Sequence, residues 1–238
     1  MRASDKIVAE KIYLFLSALF ITSLVVSNII FQKFFYWYPI DFSLFGQPLF
    51  EISVGLLPYP ITFLITDLIS EIYGKRRANL VVVTGIFASF FSAGILLLGN
   101  ILPAVDYSPI NDTLYEKVFA LSPIAALASM IAYLIAQFVD IKIYHFWKKL
   151  TKGKKLWLRN NFSTFASQFL DSITVVGLLC VFNILSWENF IGLSMASFIF
   201  KVIIALIDTP FLYIFVYLFR RRFSLKIGEE IDWNTDDK

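Results

Sequence analysis

The sequence predicts an all-α, polytopic membrane protein with six transmembrane helices and both termini in the cytoplasm. Of its 238 residues, 58% are hydrophobic and only 16% are charged, whereas a soluble domain has about 45–50% apolar and about 25% charged residues. Six stretches are apolar over the roughly 20 residues that a helix needs to cross a bilayer. These predicted spans lie near residues 12–36, 50–73, 79–102, 121–146, 162–185 and 189–219.

The orientation follows from the distribution of basic residues. Of the 21 Lys and Arg residues, 17 lie in the N-terminus, the second loop, the fourth loop and the C-terminal tail. Lys117 lies on the opposite side, and Lys33 is near that boundary. Because cytoplasmic loops carry the excess of Lys and Arg, both termini are predicted to be cytoplasmic.

Three regions are therefore predicted along the chain. Residues 1–11 form a cytoplasmic N-terminus, residues 12–222 form the six-helix transporter domain, and residues 223–238 form a cytoplasmic tail. The tail is acidic from Gly228 onward and is expected to be disordered.

The sequence lacks the motifs that several kinds of chemistry require. There is no G-x-x-x-x-G-K-[ST] loop for ATP hydrolysis, and no G-x-S-x-G motif for a hydrolase. One histidine and one cysteine cannot form a Cys/His metal cluster or an internal disulfide. The chain is thus predicted not to be an enzyme, to use no cofactor and to bind no nucleic acid.

Acidic residues inside the predicted spans indicate a polar site within the membrane. Asp67, Asp140, Asp171 and Asp208 lie in four different spans. At 1.5 Å per residue, each is roughly 12–18 Å from a span edge, near the middle of a hydrocarbon core about 30 Å thick. Carboxylates at this depth are costly and mark transport pathways, and secondary transporters bind their substrates in this layer.

Spacing groups further polar residues with these acids. The string Gln-Phe-x-Asp occurs as Gln137–Asp140 and again as Gln168–Asp171, so an amide and an acid share a helix face twice. Asp67 and Glu71 are also four residues apart on one face. The break at Pro58-Tyr59-Pro60 favours an interrupted helix that lines a cavity.

Charge at membrane depth is unbalanced, since five acids face two lysines. The acids are Asp67, Glu71, Asp140, Asp171 and Asp208, and the lysines are Lys142 and Lys201. Some acids must therefore be protonated, hydrated or paired with a ligand cation. The alternative is helix packing, with Lys142 paired to Asp140 and Lys201 paired to Asp171 or Asp208.

A series of motifs runs in order through the membrane domain. They are TDLISEIYGK at 66–75, QFVD at 137–140, LWLRNNFST at 156–164, SQFLDS at 167–172, and DTP at 208–210 with Tyr213. In this order they resemble the queuosine precursor transporter family, also called the putative vitamin uptake transporters. The resemblance runs from about Asn28 to Arg222.

The resemblance implies import of 7-deazaguanine bases across the inner membrane of a bacterium, for queuosine modification of tRNA. The bases are 7-cyano-7-deazaguanine, its 7-aminomethyl relative and queuine. Expected partners are this base and the lipid bilayer, and the sequence leaves a homodimer open. The expected substrate-binding residues are Asn28, Asp67, Glu71, Gln137, Asp140, Asn161, Gln168, Asp171, Lys201 and Asp208.

Two mechanisms stay open at this point. The chain is either a carrier on its own, driven by protons or acting as a facilitator, or a membrane-embedded binding subunit for a vitamin-like molecule that needs a separate ATPase. A structural protein and a membrane enzyme are less favoured.

Overall fold

The computed structural model describes residues 3–30, 33–36, 43–44, 47–48, 51–119, 123–183 and 185–231. Most of these residues are helical. The helices are α1 (Ala3–Ile30), α2 (Tyr59–Ile72), α3 (Lys75–Ile101), α4 (Asp112–Phe119), α5 (Pro123–Leu150), α6 (Leu156–Val181) and α7 (Phe190–Phe223). Short 3-10 helices at Val54–Leu56 and Trp187–Asn189 precede α2 and α7.

Two small antiparallel ladders lie between α1 and α2, and the all-α prediction did not include them. The strand β1 (Phe34–Tyr36) pairs with β4 (Glu51–Ser53), and β2 (Ser43–Leu44) pairs with β3 (Gln47–Pro48). Both predicted spans on either side were therefore too long at these ends. Aromatic residues of β1 favour a strand.

The start of α2 is set by proline. Pro60 lies in the first turn of α2, where its fixed φ and missing N–H are tolerated. The α2 helix has 14 residues, and ten of them are buried. It contacts α1, α3, α5 and α7, so this short helix is the centre of the bundle.

The helices are long and apolar enough to form a membrane domain. Within the described residues, five helical segments could cross a membrane: Ser4–Ile30, Val54–Ile72, Lys75–Ile101, Leu156–Val181 and Trp187–Phe223. The remaining predicted span, 121–146, falls mainly on α5, and residues 120–122 and the side chains of residues 123–128 lie outside the described part. The helical membrane class is thus confirmed, whereas the count of six and the orientation stay predictions.

Packing separates a buried side from a lipid-facing side. Phe20 of α1 and Val82 of α3 are fully buried with Ile69 and Ile72 of α2. Large apolar residues such as Phe87 are instead exposed on the outer faces. Exposed apolar side chains on long helices suit contact with lipid tails.

Part of the predicted tail is packed against the bundle. The N–H of Ile231 donates to the carbonyl of Ile72 at 2.8 Å, and the Ile231 side chain is buried. The Nζ of Lys148 on α5 donates to Glu230 at 2.8 Å. The expected disorder of residues 232–238 lies outside the described residues.

Candidate functional site

A cavity lies between α2, α6 and α7, and we call it the acceptor cavity. Helical spacing brings its lining together, since residues four apart share one face of a helix. The polar and aromatic residues of its wall are Tyr59, Phe63 and Asp67 of α2, Asn160, Thr164 and Gln168 of α6, and Phe200, Lys201 and Asp208 of α7. Its volume is about 30 Å³.

A larger cavity lies next to it, towards the start of α2, and we call it the serine cavity. Its volume is about 190 Å³. Its polar lining consists of Ser27, Asn28, Ser53, Tyr59, Ser129, Tyr133, Asp171, Ser172, Ser197 and Lys201. Tyr59, Leu56 and Lys201 line both cavities, so these three residues lie at the boundary between them.

Three residues that line the acceptor cavity each have a buried side-chain oxygen without a hydrogen-bond donor. These oxygens are Asp67 Oδ1, Asn160 Oδ1 and Gln168 Oε1. The amide nitrogen of Asn160 is directed at the hydroxyl of Thr209, at 3.4 Å. Leaving a buried acceptor unsatisfied costs about 1–3 kcal/mol. Three such oxygens around one cavity therefore favour a ligand that supplies several N–H donors.

Aromatic rings form the apolar part of the same cavity. The ring centroids of Tyr59 and Phe63 are 5.3 Å apart, and Phe200 lines the cavity from α7. Tyr133 of α5 packs edge-on against both Tyr59 and Phe63. These contacts fix the orientation of the rings, and aromatic faces of this kind bind flat rings.

Asp67 also contacts a second acid, which lies behind the cavity wall. The carboxyl groups of Asp67 and Asp140 are within hydrogen-bonding reach of each other. Asp140 is fully buried and accepts a hydrogen bond from Ser167 at 3.0 Å. Two carboxyl groups in contact are compatible when one proton is shared between them. Asp140 lines neither cavity, so it reaches a ligand only through Asp67.

The boundary between the two cavities is an ion pair. Lys201 Nζ donates to Asp171 Oδ2 and lies 3.4 Å from the hydroxyl of Ser172. The hydroxyl of Tyr59 donates to the same Asp171 oxygen at 2.9 Å. The ammonium is also 5.3 Å from the centre of the Tyr59 ring. Of the two packing alternatives, the pair between Lys201 and Asp171 forms, whereas Lys142 is exposed.

Glu71 lies in a different environment, although it was grouped with Asp67. Its carboxylate accepts hydrogen bonds from Arg159 at 2.5 Å, from Arg220, and from the hydroxyl of Tyr144 at 2.9 Å. Lys148 Nζ is 3.6 Å away. We call these five residues the Glu71 cluster. Glu71 is fully buried and lines neither cavity.

The other predicted residues divide between the two cavities and the protein interior. Gln168, Lys201 and Asp208 line the acceptor cavity, and Asn28, Asp171 and Lys201 line the serine cavity. Gln137 is fully buried beside Tyr133, to whose hydroxyl its amide donates at 2.7 Å. Asn161 accepts from Thr209 at 3.3 Å and donates to the carbonyl of Trp157. Gln168 and Asp171 thus line different cavities, and Gln137 and Asp140 line neither.

Sequence reasoning did not predict Asn160, Phe63 and Phe200 as lining residues, and it named Tyr59 only within the helix break that was expected to line a cavity. Asn160 lies four residues before Thr164 and eight before Gln168, so helical spacing from Gln168 could have found it. Phe63 and Phe200 gave no signal, because apolar helices contain many aromatic residues. Among the residues that the structure describes, no group of three His, Cys, Asp or Glu could hold a metal ion.

Comparison with known proteins finds matches to transporters. A family model described as "Putative vitamin uptake transporter" matches residues 53–215, which is more than half of the chain. The chain is also 28% identical over 164 residues to the "Probable queuosine precursor transporter" of Bacillus subtilis (strain 168), covering 68% of this chain and 70% of that protein. No solved structure shows significant similarity to the chain.

Proposed function

The chain belongs to this vitamin uptake transporter family, and on that premise we propose that it imports 7-deazaguanine bases across the inner membrane of a bacterium. The observation that carries the proposal is a cavity with aromatic walls, three of whose lining residues have buried oxygens without a hydrogen-bond donor: Asp67 Oδ1, Asn160 Oδ1 and Gln168 Oε1. The name of the Bacillus subtilis relative, a queuosine precursor transporter, points to the same class of molecule.

The chemistry of a guanine-like base complements this cavity. Its ring N–H and exocyclic amine present several donors along one edge, and carboxylate and amide oxygens accept them. Its carbonyl oxygen needs a donor, which the ammonium of Lys201 or an amide N–H supplies. The flat ring stacks on the faces of Tyr59, Phe63 or Phe200.

We place the two ends of the pathway by the distribution of charge. With six spans and both termini in the cytoplasm, the Glu71 cluster faces the cytoplasm and the serine cavity faces outward. The base enters the serine cavity, passes the ion pair of Lys201 and Asp171, and binds in the acceptor cavity. Release into the cytoplasm requires the helices around the Glu71 cluster to separate, as in alternating access.

The orientation has its own test. Reporter fusions after Arg77, after Asn111 and after Lys155 should report the cytoplasm, the outside and the cytoplasm respectively. A cytoplasmic signal at Asn111 would contradict both the six-span topology and the proposed direction of the pathway.

The proposed substrate class is tested by removing one donor from the base. Uptake of a labelled 7-deazaguanine base is measured in cells that cannot make it and that express this chain. An analogue without the exocyclic amine should compete roughly 5- to 150-fold more weakly, because one buried oxygen stays unsatisfied at a cost of about 1–3 kcal/mol. Equal competition by both bases would show that the cavity does not recognise that edge.

A further inference from the structure

Residues 225–231 follow α7 and turn back across the end of the bundle that holds the Glu71 cluster, and we call them the strap. The helices of the bundle form two groups. In the first group α1, α2 and α3 pack on one another, and in the second group α6 packs on both α5 and α7. The strap begins at α7, where the N–H of Leu225 donates to the carbonyl of Arg220 at 3.0 Å, so it continues the second group.

The far end of the strap is bound to the first group, at the end of α2. The N–H of Ile231 donates to the carbonyl of Ile72 at 2.8 Å. Ile231 is only 4% exposed and belongs to the same apolar core as Ile72 and Tyr73. The carboxylate of Glu230 lies so close to Gly74 that a Cβ at position 74 would collide with it. The strap therefore connects the two groups of helices at this end.

The middle of the strap crosses the loop between α5 and α6. Gly228 and Gly153 meet there with φ angles of +82° and +74°, and a Cβ on Gly228 would lie 2.8 Å from the Cα of Gly153. The positive φ angles and the close approach both favour glycine at the crossing. The carbonyl of Gly153 also accepts a hydrogen bond from Arg159 at 2.8 Å. The strap thus lies against a residue that holds Arg159 of the Glu71 cluster.

Lys148 joins the strap to the Glu71 cluster by a second route. Its Nζ donates to Glu230 at 2.8 Å and to the backbone carbonyl of Glu71 at 3.0 Å. Lys148 is 7% exposed and Ile231 is buried, whereas Ile227 of the strap is 67% exposed. One side of the strap is therefore bound to the bundle by polar and apolar contacts, and the other side is open.

We infer that the strap is a latch, which holds the two groups of helices together at this end and must detach before the acceptor cavity opens there. In alternating access one bundle rocks against another around the binding site, so a segment that bridges the two groups opposes opening at its own end. The contacts of Ile231 and Glu230 are lost when the strap detaches, and they therefore favour the closed exit. The inference rests on the proposed function, which makes this end the cytoplasmic exit.

The test measures opening of the exit directly, in the absence of substrate. Cys180 is the single cysteine of the chain, so Cys180→Ser removes the native thiol. Ser163→Cys then places one thiol at a fully buried position of α6, four residues beyond Arg159. A membrane-impermeant maleimide is added to inside-out membrane vesicles. Ile231→Asn should speed labelling of this thiol by at least about 5-fold, because the apolar burial that holds the strap is lost.

Ile227→Asn is the matched control, since it makes the same change at an exposed position of the strap. It should leave the rate of labelling unchanged. Gly228→Val is a second way to release the strap while Ile231 stays in place, because a Cβ at position 228 collides with Gly153. It should also speed labelling. All variants are compared at equal amounts of folded protein.

Labelling at the parent rate in both release variants would show that the strap only braces the fold, and the inference would be wrong. An equal rise in right-side-out vesicles would mean general loosening of the bundle, which also contradicts a latch at one end. If labelling follows the expected pattern but the parent protein takes up no 7-deazaguanine base, the latch is supported and the proposed function fails.

Discussion

Glu71 and Asp67 lie one turn apart on α2, are both buried, and have opposite surroundings. Glu71 is bound by Arg159, Arg220 and Tyr144, with Lys148 nearby. Asp67 lines the acceptor cavity and has a second acid beside it, and its buried Oδ1 has no hydrogen-bond partner among the described residues. The charge of Glu71 is thus balanced by cations of the protein, whereas Asp67 has no cation bound to it in the part of the chain that the structure describes.

This difference separates a structural role from a binding role. Burial and helical spacing are alike for the two acids, so neither property distinguishes them. What distinguishes them is the cations that other helices supply, from the start of α6 and the last turn of α7. An acid whose charge is met within the protein holds helices together. An acid whose charge is not met is available to a ligand.

The largest effect is expected for Glu71→Gln, measured as loss of stability. The substitution leaves Arg159, which is fully buried, and Arg220 without a counter-charge. Removing one partner of a buried ion pair costs about 3–5 kcal/mol. The midpoint of thermal unfolding in detergent should therefore fall strongly, together with the yield of folded protein. A variant as stable as the wild type would show that the cluster does not hold the helices together.

A smaller loss of stability is expected for Asp171→Asn, because Tyr59 and Ser172 still contact the site. Lys201 loses its counter-charge at a cost of about 1–3 kcal/mol, and uptake should fall at least several-fold. Pairing the change with Lys201→Met should restore the unfolding midpoint without restoring uptake. If the double variant transports normally, the ion pair serves packing alone.

For Asp67→Asn we expect the reverse of Glu71→Gln, namely a loss of uptake without a loss of stability. No cation is left unpaired, so the unfolding midpoint should stay close to that of the wild type. Uptake at low substrate should nevertheless fall by about 5- to 150-fold. The substitution removes a carboxylate acceptor, and losing such a hydrogen-bond partner costs about 1–3 kcal/mol. A variant that unfolds early instead would place Asp67 with Glu71 as a structural residue.

The smallest effect is expected at the pair of Arg222 and Asp5. Their atoms are 2.9 Å apart, but the Arg222 side chain is 52% exposed. Exposed ion pairs contribute about 0–1 kcal/mol, so Arg222→Ala should change neither the unfolding midpoint nor uptake by a measurable amount. Arg222→Ala is therefore a matched control, since it removes an arginine from the last turn of α7 without touching Glu71. A strong loss with Arg222→Ala would mean that charge in this region matters through topology and not through contact.

Much of the architecture was accessible from the sequence, because lipid imposes long apolar helices. The helical bundle and its intramembrane acids follow from that constraint. The strands that begin at Phe34 and Glu51 were missed, since strands of two or three residues are too short to show a periodic pattern. Residues 50–58 were read as helix because their apolar content continues that of α2.

The candidate site was accessible only in part. Asp67, Lys201 and Asp208 were found from the cost of charge at membrane depth, and Gln168 from its spacing to Asp171. The role of Glu71 was not, because Arg159 and Arg220 were counted as cytoplasmic loop charges and not as partners of a buried acid. Which acids have partners depends on contacts between helices that are far apart in the sequence. Spacing along one helix does not contain that information.

The most direct measurement is uptake by the purified chain alone in liposomes, with a labelled 7-deazaguanine base. We expect the wild type and Arg222→Ala to transport the base, and Asp67→Asn, although folded, to transport it at least about 5-fold more slowly. Folded wild-type protein that binds the base but does not move it would instead identify a binding subunit that needs a separate ATPase. Equal transport by Asp67→Asn and the wild type would contradict the acceptor cavity as the substrate site.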